Sequence, residues 1–258
     1  MNVIVLVKQI PDPAVAGTLN PATNTLQRDG KLLLDDSDKY GVELALQLVA
    51  AAGGGEVSLV SVAPGDDVTG LREALAMGAD KAVLVSDPSL QGSDALTTAK
   101  VLAAAICRTG GADLVIGGTE SSDGYTGTVP EQIAELLDLP SVTFAKKVTV
   151  EGGVLKVERQ TEAGFEDVET ALPALISVTA GANEPRYPSF KGIMAAKSKP
   201  VEKVSVGELG VAPVGWAGAN QQITNVRRSA ERGAGEIVED DGEGYLKIVA
   251  FLANLKVI

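Results

Sequence analysis

Four short apolar runs recur along the first half of the chain, each followed by a stretch with helical periodicity. This alternation limits the fold more than any other feature. The runs are residues 2–7 (NVIVLV), 56–62 (EVSLVSV), 81–85 (KAVLV) and 113–117 (DLVIG). Continuous apolar strands suit a parallel sheet, because helices cover both of its faces. Asp35, Asp36, Ser37 and Asp38 offer an N-cap for a helix carrying Tyr40, Leu44, Leu46, Leu48 and Val49. A second helix is predicted over 67–77, ended by Gly78, and a third follows Ser93-Asp94 through Cys107. The expectation is an α/β fold built on a mostly parallel, doubly wound (Rossmann-like) sheet. Ligands of such sheets bind beyond the carboxyl ends of the strands. The loops after Val7, Val62 and Ile116 are therefore the natural rim, and the Asp35–Asp38 cluster lies where a loop faces a ligand.

The remaining stretches read differently. Residues 18–34 are expected to form an exposed hairpin with Asp29-Gly30 as its turn. Residues 142–150, 154–160, 165–170 and 174–179 alternate apolar and polar positions, which predicts an antiparallel extension of the sheet. A proline-stiffened loop, 183–188, precedes a short helix within 190–199. Residues 206–216 read as strand or turn, and 217–241, rich in Gly, Ala and charge, as an extended arm. The arm ends in an amphipathic helix, 244–255, with Tyr245, Ile248, Val249 and Leu252 on one stripe. The domain division expected is 1–205 and 206–258.

One loop invites chemistry. Leu114, Val115 and Ile116 end a strand, small and polar residues fill 117–128, and Val129-Pro130-Glu131 opens a helix. Thr128 is the expected N-cap, and Pro130 sits in the first turn, where a missing N–H costs nothing. Free amides and the positive end of the helix dipole make such a loop an anion site. Gly124 and Gly127 admit close approach, and Thr126 and Thr128 add hydroxyl donors. No Lys or Arg lies between residues 114 and 137, so the backbone is expected to do most of the holding. The loop is neither a Walker loop nor GxGxxG, and the pattern alone fits an ordinary strand-to-helix turn equally well.

Composition removes several function classes. The net charge is -12, which disfavours nucleic acid and suits basic patches on proteins. There is no histidine, which removes Ser-His-Asp and Cys-His catalysis. The single cysteine, Cys107, is expected to be a buried packing thiol; one cysteine makes no internal disulfide, which fits a cytoplasmic setting. Met1 leads straight into a strand, so no signal peptide is expected, and no apolar run is long enough to span a membrane.

Several motifs, in order, resemble the beta subunit of electron transfer flavoprotein over nearly the whole chain. VIVLVKQIPD at the start, REALAMGADKAVLV at 72–85 and SSDGYTGTVPEQIAE at 121–135 look like that family's first strand, a typical helix–strand stretch and its adenine nucleotide loop. The most specific match is VERQTEAGFEDVETALPALIS at 157–177, which departs only at the turn residue Ala163. NEPRYPSFKGIMAAK at 183–197 resembles the loop that docks on dehydrogenases.

The resemblance implies a heterodimeric electron carrier without bond-making catalysis of its own. Its alpha subunit holds most of the FAD, and this chain buries a structural AMP. Electrons would come from acyl-CoA and related dehydrogenases and pass to a membrane quinone oxidoreductase. Cofactor contacts carried over by position are Leu6, Asp35, Asp36, Ser37, Asp38, Val62, Asp123, Gly124, Tyr125, Thr126, Gly127, Thr128, Val129, Pro130, Glu131, Gln132, Ile133 and Ala134. Partner contacts are Glu184, Pro185, Arg186, Tyr187, Phe190, Ile193 and Met194, and the arm with its helix is expected to dock on the alpha subunit. Pro13 stands where some members carry an aromatic that approaches the flavin. A subset of the family binds a second FAD in place of AMP and bifurcates electrons from NADH; DGYTGTVP partly resembles its DGDT form, with Tyr125 in place of the second acid. AMP is the expectation and the second FAD the alternative. A stand-alone adenine-nucleotide-binding regulator is the rival from another class, and the arm and terminal helix argue against it.

Overall fold

The computed structural model describes residues 1–227 and 235–258. In chain order the strands are β1 (Asn2–Leu6), β2 (Gln9–Pro11), β3 (Leu32–Leu34), β4 (Glu56–Ala63), β5 (Lys81–Ser86), β6 (Leu114–Gly118), β7 (Ser141–Glu151), β8 (Val154–Thr161), β9 (Gly164–Ala171), β10 (Ala174–Val178) and β11 (Val201–Val204). The helices are α1 (Asp36–Ala51), α2 (Thr69–Met77), α3 (Ala95–Arg108), α4 (Val129–Leu136), α5 (Phe190–Ala196), α6 (Val206–Leu209), α7 (Gly215–Gly218) and α8 (Gly244–Asn254). Nine strands form one sheet in the order β11-β5-β4-β1-β6-β10-β7-β8-β9, parallel from β11 to β7.

Alternate residues of the central strands feed opposite faces, as a pleated strand dictates. Val3, Val5, Leu59 and Leu84 join Val42 and Ala45 of α1 and Leu71 and Leu75 of α2 in one core layer. Ile4, Leu6, Val60 and Val83 join Ala99, Leu102 and Ile106 of α3 and Ile133 of α4 in the other. The sheet is thus covered on both faces, the doubly wound arrangement expected from the continuous apolar runs.

Several local expectations are corrected. The excursion after β1 is not a hairpin turning at Asp29-Gly30. Its arms are β2 and β3, paired antiparallel as Gln9 with Leu34, Ile10 with Leu33 and Pro11 with Leu32, and within it Leu19 bridges Leu26. The antiparallel extension comprises β7, β8 and β9. β10 does not continue it; it returns between β6 and β7, parallel to both. Residues 206–216 hold no strand: Ser205 caps α6 through a reciprocal capping box with Glu208, and α7 follows. β11, unanticipated, closes the far edge parallel to β5. Cys107 is exposed, because the buried stripe of α3 runs through Ala99, Leu102 and Ile106, and Cys107 lies one position round the helix.

Two compact units result, Met1–Ile223 and Thr224–Ile258. Residues 206–223 thus fall in the first, beyond the 205/206 division read from composition. The arm expected at 217–241 includes residues 228–234, which lie outside the described residues. Within the second unit, α8 carries exposed Tyr245, Ile248, Val249 and Phe251. No helix among the described residues is long and apolar enough to cross a membrane.

Burial sets a first expectation. Leu59 is fully buried in the central β4, whereas Leu19 on the excursion is 46% exposed. Leu59→Ala should lower the unfolding free energy in urea by about 2–5 kcal/mol, and Leu19→Ala by under about 0.5 kcal/mol. Equal effects would refute the placement of the core.

Candidate functional site

The winding of the sheet reverses at β1. The chain passes from β1 outward to β4 and β5, and α3 then returns it to β6 on the other side of β1. A crevice at such a switch point is the expected ligand site. A cavity of about 280 Å3 lies there. Its walls are the ends of β1, β4 and β6 (Leu6, Val62, Gly117, Gly118), the first turns of α3 and α4, and the loop between β6 and α4.

The loop is held from below by carboxylates. Asp35 caps α1, accepting from Ser37 N–H at 3.0 Å and Ser37 Oγ at 2.8 Å. Its other oxygen accepts from Ser122 N–H at 2.7 Å and Ser122 Oγ at 3.0 Å. Asp38 accepts from the Lys8 N–H at 2.6 Å. Burial pushes the Asp38 carboxyl well above the usual carboxylate range; the Lys8 N–H opposes this, and Asp35 and Asp123 reinforce it.

The cations missing from the loop's own sequence arrive from elsewhere. Lys8 Nζ donates to Asp123 Oδ1 at 2.7 Å and to Ser121 Oγ at 3.1 Å. Arg28, from the excursion, pairs with Asp123 Oδ2. Burial raises the Asp123 pKa, but Lys8 and Arg28 outweigh it and the net direction is down. Asp123 is thus offset by two cations, while the Glu120 carboxylate of the same loop lies against Gly127 and also lines the cavity.

The expected cofactor residues separate into groups. Leu6, Asp38, Val62, Gly124, Thr126, Gly127, Thr128, Val129 and Pro130 line the cavity. Asp35, Asp36 and Ser37 line a second cavity, of about 480 Å3, with Ser122. Tyr125 has φ +48° and is 68% exposed. Ile133 and Ala134 are core residues of α4. Glu131 Oε2 and Gln132 Oε1 are buried without a hydrogen-bond partner among the described residues. The amides of Thr126, Gly127 and Thr128 likewise make no hydrogen bond among the described residues. Thr128 is the N-cap residue of α4, but its side chain does not cap the helix, and Pro130 is in the first turn. Gly127 has φ +61°, a conformation costly for a β-branched residue. Unpaired amides at a helix start, with Lys8 close by, fit a phosphate.

Sequence reasoning missed Lys8, Arg28, Glu120, Thr98 and Gln221. Lys8 alone carried a signal, since it follows the first strand at the rim. Among the described residues no group of three or more His, Cys, Asp or Glu could hold a metal. The expected partner residues lie apart, on the 183–194 segment. Tyr187, Phe190, Ile193 and Met194 are exposed. Arg186 is exposed as well, with 48% of its side chain accessible while it pairs with the buried Glu43 carboxylate.

The family model of the electron transfer flavoprotein domain matches residues 23–209. The chain is 43% identical over 264 residues to the electron transfer flavoprotein subunit beta of Mycobacterium tuberculosis, covering 100% of this chain and 99% of that one. It is 39% identical to the subunit beta of Thermoanaerobacterium thermosaccharolyticum, over 92% of each chain. It is 36% identical to CarD of the caffeyl-CoA reductase-Etf complex of Acetobacterium woodii, again over 92% of each.

Asp38 yields a pH test. A raised native pKa means that its contribution to stability is present below the ordinary carboxylate range and is lost as pH rises through the native value. The Tm of Asp38→Asn minus that of the natural protein should therefore grow with pH above the ordinary carboxylate range. A difference independent of pH would refute the assignment.

Proposed function

The chain belongs to the electron transfer flavoprotein beta-subunit family, and from that membership we propose that it is one half of a heterodimeric electron carrier that buries AMP at the switch-point cavity. An alpha subunit holds most of the FAD, which when bound supplies the redox chemistry. Acyl-CoA and related dehydrogenases deliver the electrons, and a membrane quinone oxidoreductase receives them. This chain makes no bonds. It holds the nucleotide, docks the donor through residues 184–194 and engages the alpha subunit through its arm and α8.

The observation that carries the nucleotide reading is the run of unpartnered amides at Thr126, Gly127 and Thr128 on the cavity wall. These amides would take the phosphate, with the Thr126 or Thr128 hydroxyl beside them and Lys8 as the nearby cation. Leu6 and Val62 give the cavity an apolar side suited to a base.

Cofactor released by denaturing the co-expressed heterodimer tests this reading. One FAD with AMP is expected; two FAD would replace it with the bifurcating form, and no second adenine nucleotide would refute both. Gly127→Val should lose the AMP and keep the FAD, because a β-branched residue resists the left-handed backbone there. Stoichiometric AMP in that variant would refute the placement.

Docking is tested separately. Phe190 is 80% exposed at the start of α5, so its truncation removes surface and leaves the core intact. Phe190→Ala should lower kcat/KM for flavin reduction by an acyl-CoA dehydrogenase about tenfold or more, with FAD and AMP contents unchanged. Unchanged kinetics, or loss of cofactor, would make Phe190 a structural plug.

A further inference from the structure

The segment that carries Tyr187 and Phe190 sorts its side chains by direction. Tyr187 is 94% exposed, and Phe190, Ile193 and Met194 also face outward. Side chains with so little contact to their own domain cannot fix their own position. Three polar or close-packed attachments do it for them.

The first is bidentate. Arg186 Nε donates to Glu43 Oε2 at 2.7 Å, Nη2 to Oε1 at 3.0 Å, and the Arg186 backbone N–H to Oε2 at 3.2 Å. Glu43 belongs to α1, is 4% exposed and also accepts from Gln47 Nε2 at 2.8 Å. One helical turn earlier, the Tyr40 carbonyl accepts from Asn183 Nδ2 at 2.9 Å. The second attachment is steric: Gly192 lies so close to the Ala76 carbonyl at the end of α2 that a Cβ has no room. The third closes the far end. Arg72 Nη1 donates to the carbonyls of Ala196 and Lys199 at 2.6 and 2.7 Å. Lys199 Nζ donates to those of Leu75 and Ala79 at 2.9 and 2.6 Å.

We propose that Arg186 is a positioning residue and not a partner contact: the Glu43–Arg186 clamp holds the exposed apolar platform in its docking conformation before the partner arrives. The inference rests on the docking role proposed above. Its physical basis is the cost of the alternative. If Arg186 swung out to a partner, it would strand a buried carboxylate, and an uncompensated buried charge is strongly unfavourable. Burial raises the Glu43 pKa, but the Arg186 hydrogen bonds outweigh it and the net direction is down, so the pair is ionised at neutral pH. Pro185 and Pro188 flank the arginine and restrict the backbone on either side. A platform fixed in advance loses less conformational freedom on docking, which strengthens binding without any new contact.

The test uses the co-expressed heterodimer as the varied substrate of an acyl-CoA dehydrogenase, in four forms besides the natural one: Phe190→Ala, Glu43→Gln, Arg186→Leu and the double Glu43→Gln/Arg186→Leu. The clamp predicts that Glu43→Gln and Arg186→Leu each raise KM about tenfold with kcat and cofactor contents unchanged. The double variant should be no worse than either single one. If Arg186 instead touches the dehydrogenase, Arg186→Leu raises KM while Glu43→Gln, which frees the guanidinium, leaves it unchanged or lowers it; that result overturns the proposal. Hydrogen exchange of the 183–192 amides gives a second readout. It should quicken in Glu43→Gln, and unchanged exchange overturns the clamp whatever the kinetics. Normal kinetics in Phe190→Ala would sink the docking role alone, since the exchange measurement still decides the clamp. Should Glu43→Gln fail to fold, Arg186→Lys replaces it: it keeps the charge, loses the fork, and must show the same rise in KM and in exchange.

Discussion

The Asp35 carboxylate ties the ligand edge of the sheet together. It is fully buried, yet among the described residues it pairs with no cation. Its two oxygens receive the amide and hydroxyl of Ser37 and the amide and hydroxyl of Ser122. Its own N–H donates to the Lys8 carbonyl. One residue therefore joins the loop after β1, the start of α1 and the loop before α4. A buried carboxylate survives only with its lone pairs filled. The 119–128 loop has no regular structure of its own, and it takes its position from this group. Removing the carboxylate would orphan the Ser122 amide and free the segment that presents the unpaired amides to the cavity.

On a chain of net charge -12, three local devices reduce the negative charge at the cavity edge, although Glu120 remains on its wall. Asp38, on the cavity wall, is pushed toward its neutral form by burial and by neighbouring carboxylates. Asp123 sits between Lys8 and Arg28, so its charge is more than cancelled. The first turn of α4 adds the positive end of a helix dipole. The global charge governs encounters with other proteins at long range, whereas these short-range arrangements govern the cavity. They do not conflict, because the Debye length at physiological salt is only about 8 Å.

What could be read from the chain followed from what is local. The strand–helix alternation was legible because both faces of each central strand are buried, which forces continuous apolar runs. The Asp35 and Asp94 caps were legible because capping is a contact across two or three residues, seen as bonds to the Ser37 and Thr97 amides. The larger misreadings were long-range. The turns before β8 and β9 were marked by glycines, but nothing in residues 174–178 records that they pair with β6 rather than β9. Lys8 and Arg28 reach the 119–128 loop across 115 and 95 residues of sequence, and the loop's own lack of cations pointed the other way. Arg186 reads as surface and is exposed, but its buried ion-pair partner lies 143 residues earlier and left no local mark.

The switch-point cavity and the exposed 183–194 segment share α1. Its first turn supplies Asp38 to the cavity wall, and its second turn holds Asn183 and Arg186 through the Tyr40 carbonyl and Glu43. Between the ends, Val42 and Ala45 are completely buried against β1 and β6. A helix packed this way does not slide by small increments, because close-packed interiors resist it. The two sites are therefore spaced by a rigid strut. A ligand shifts an equilibrium only by its differential affinity for two states, and nothing about this helix offers a second state at low cost.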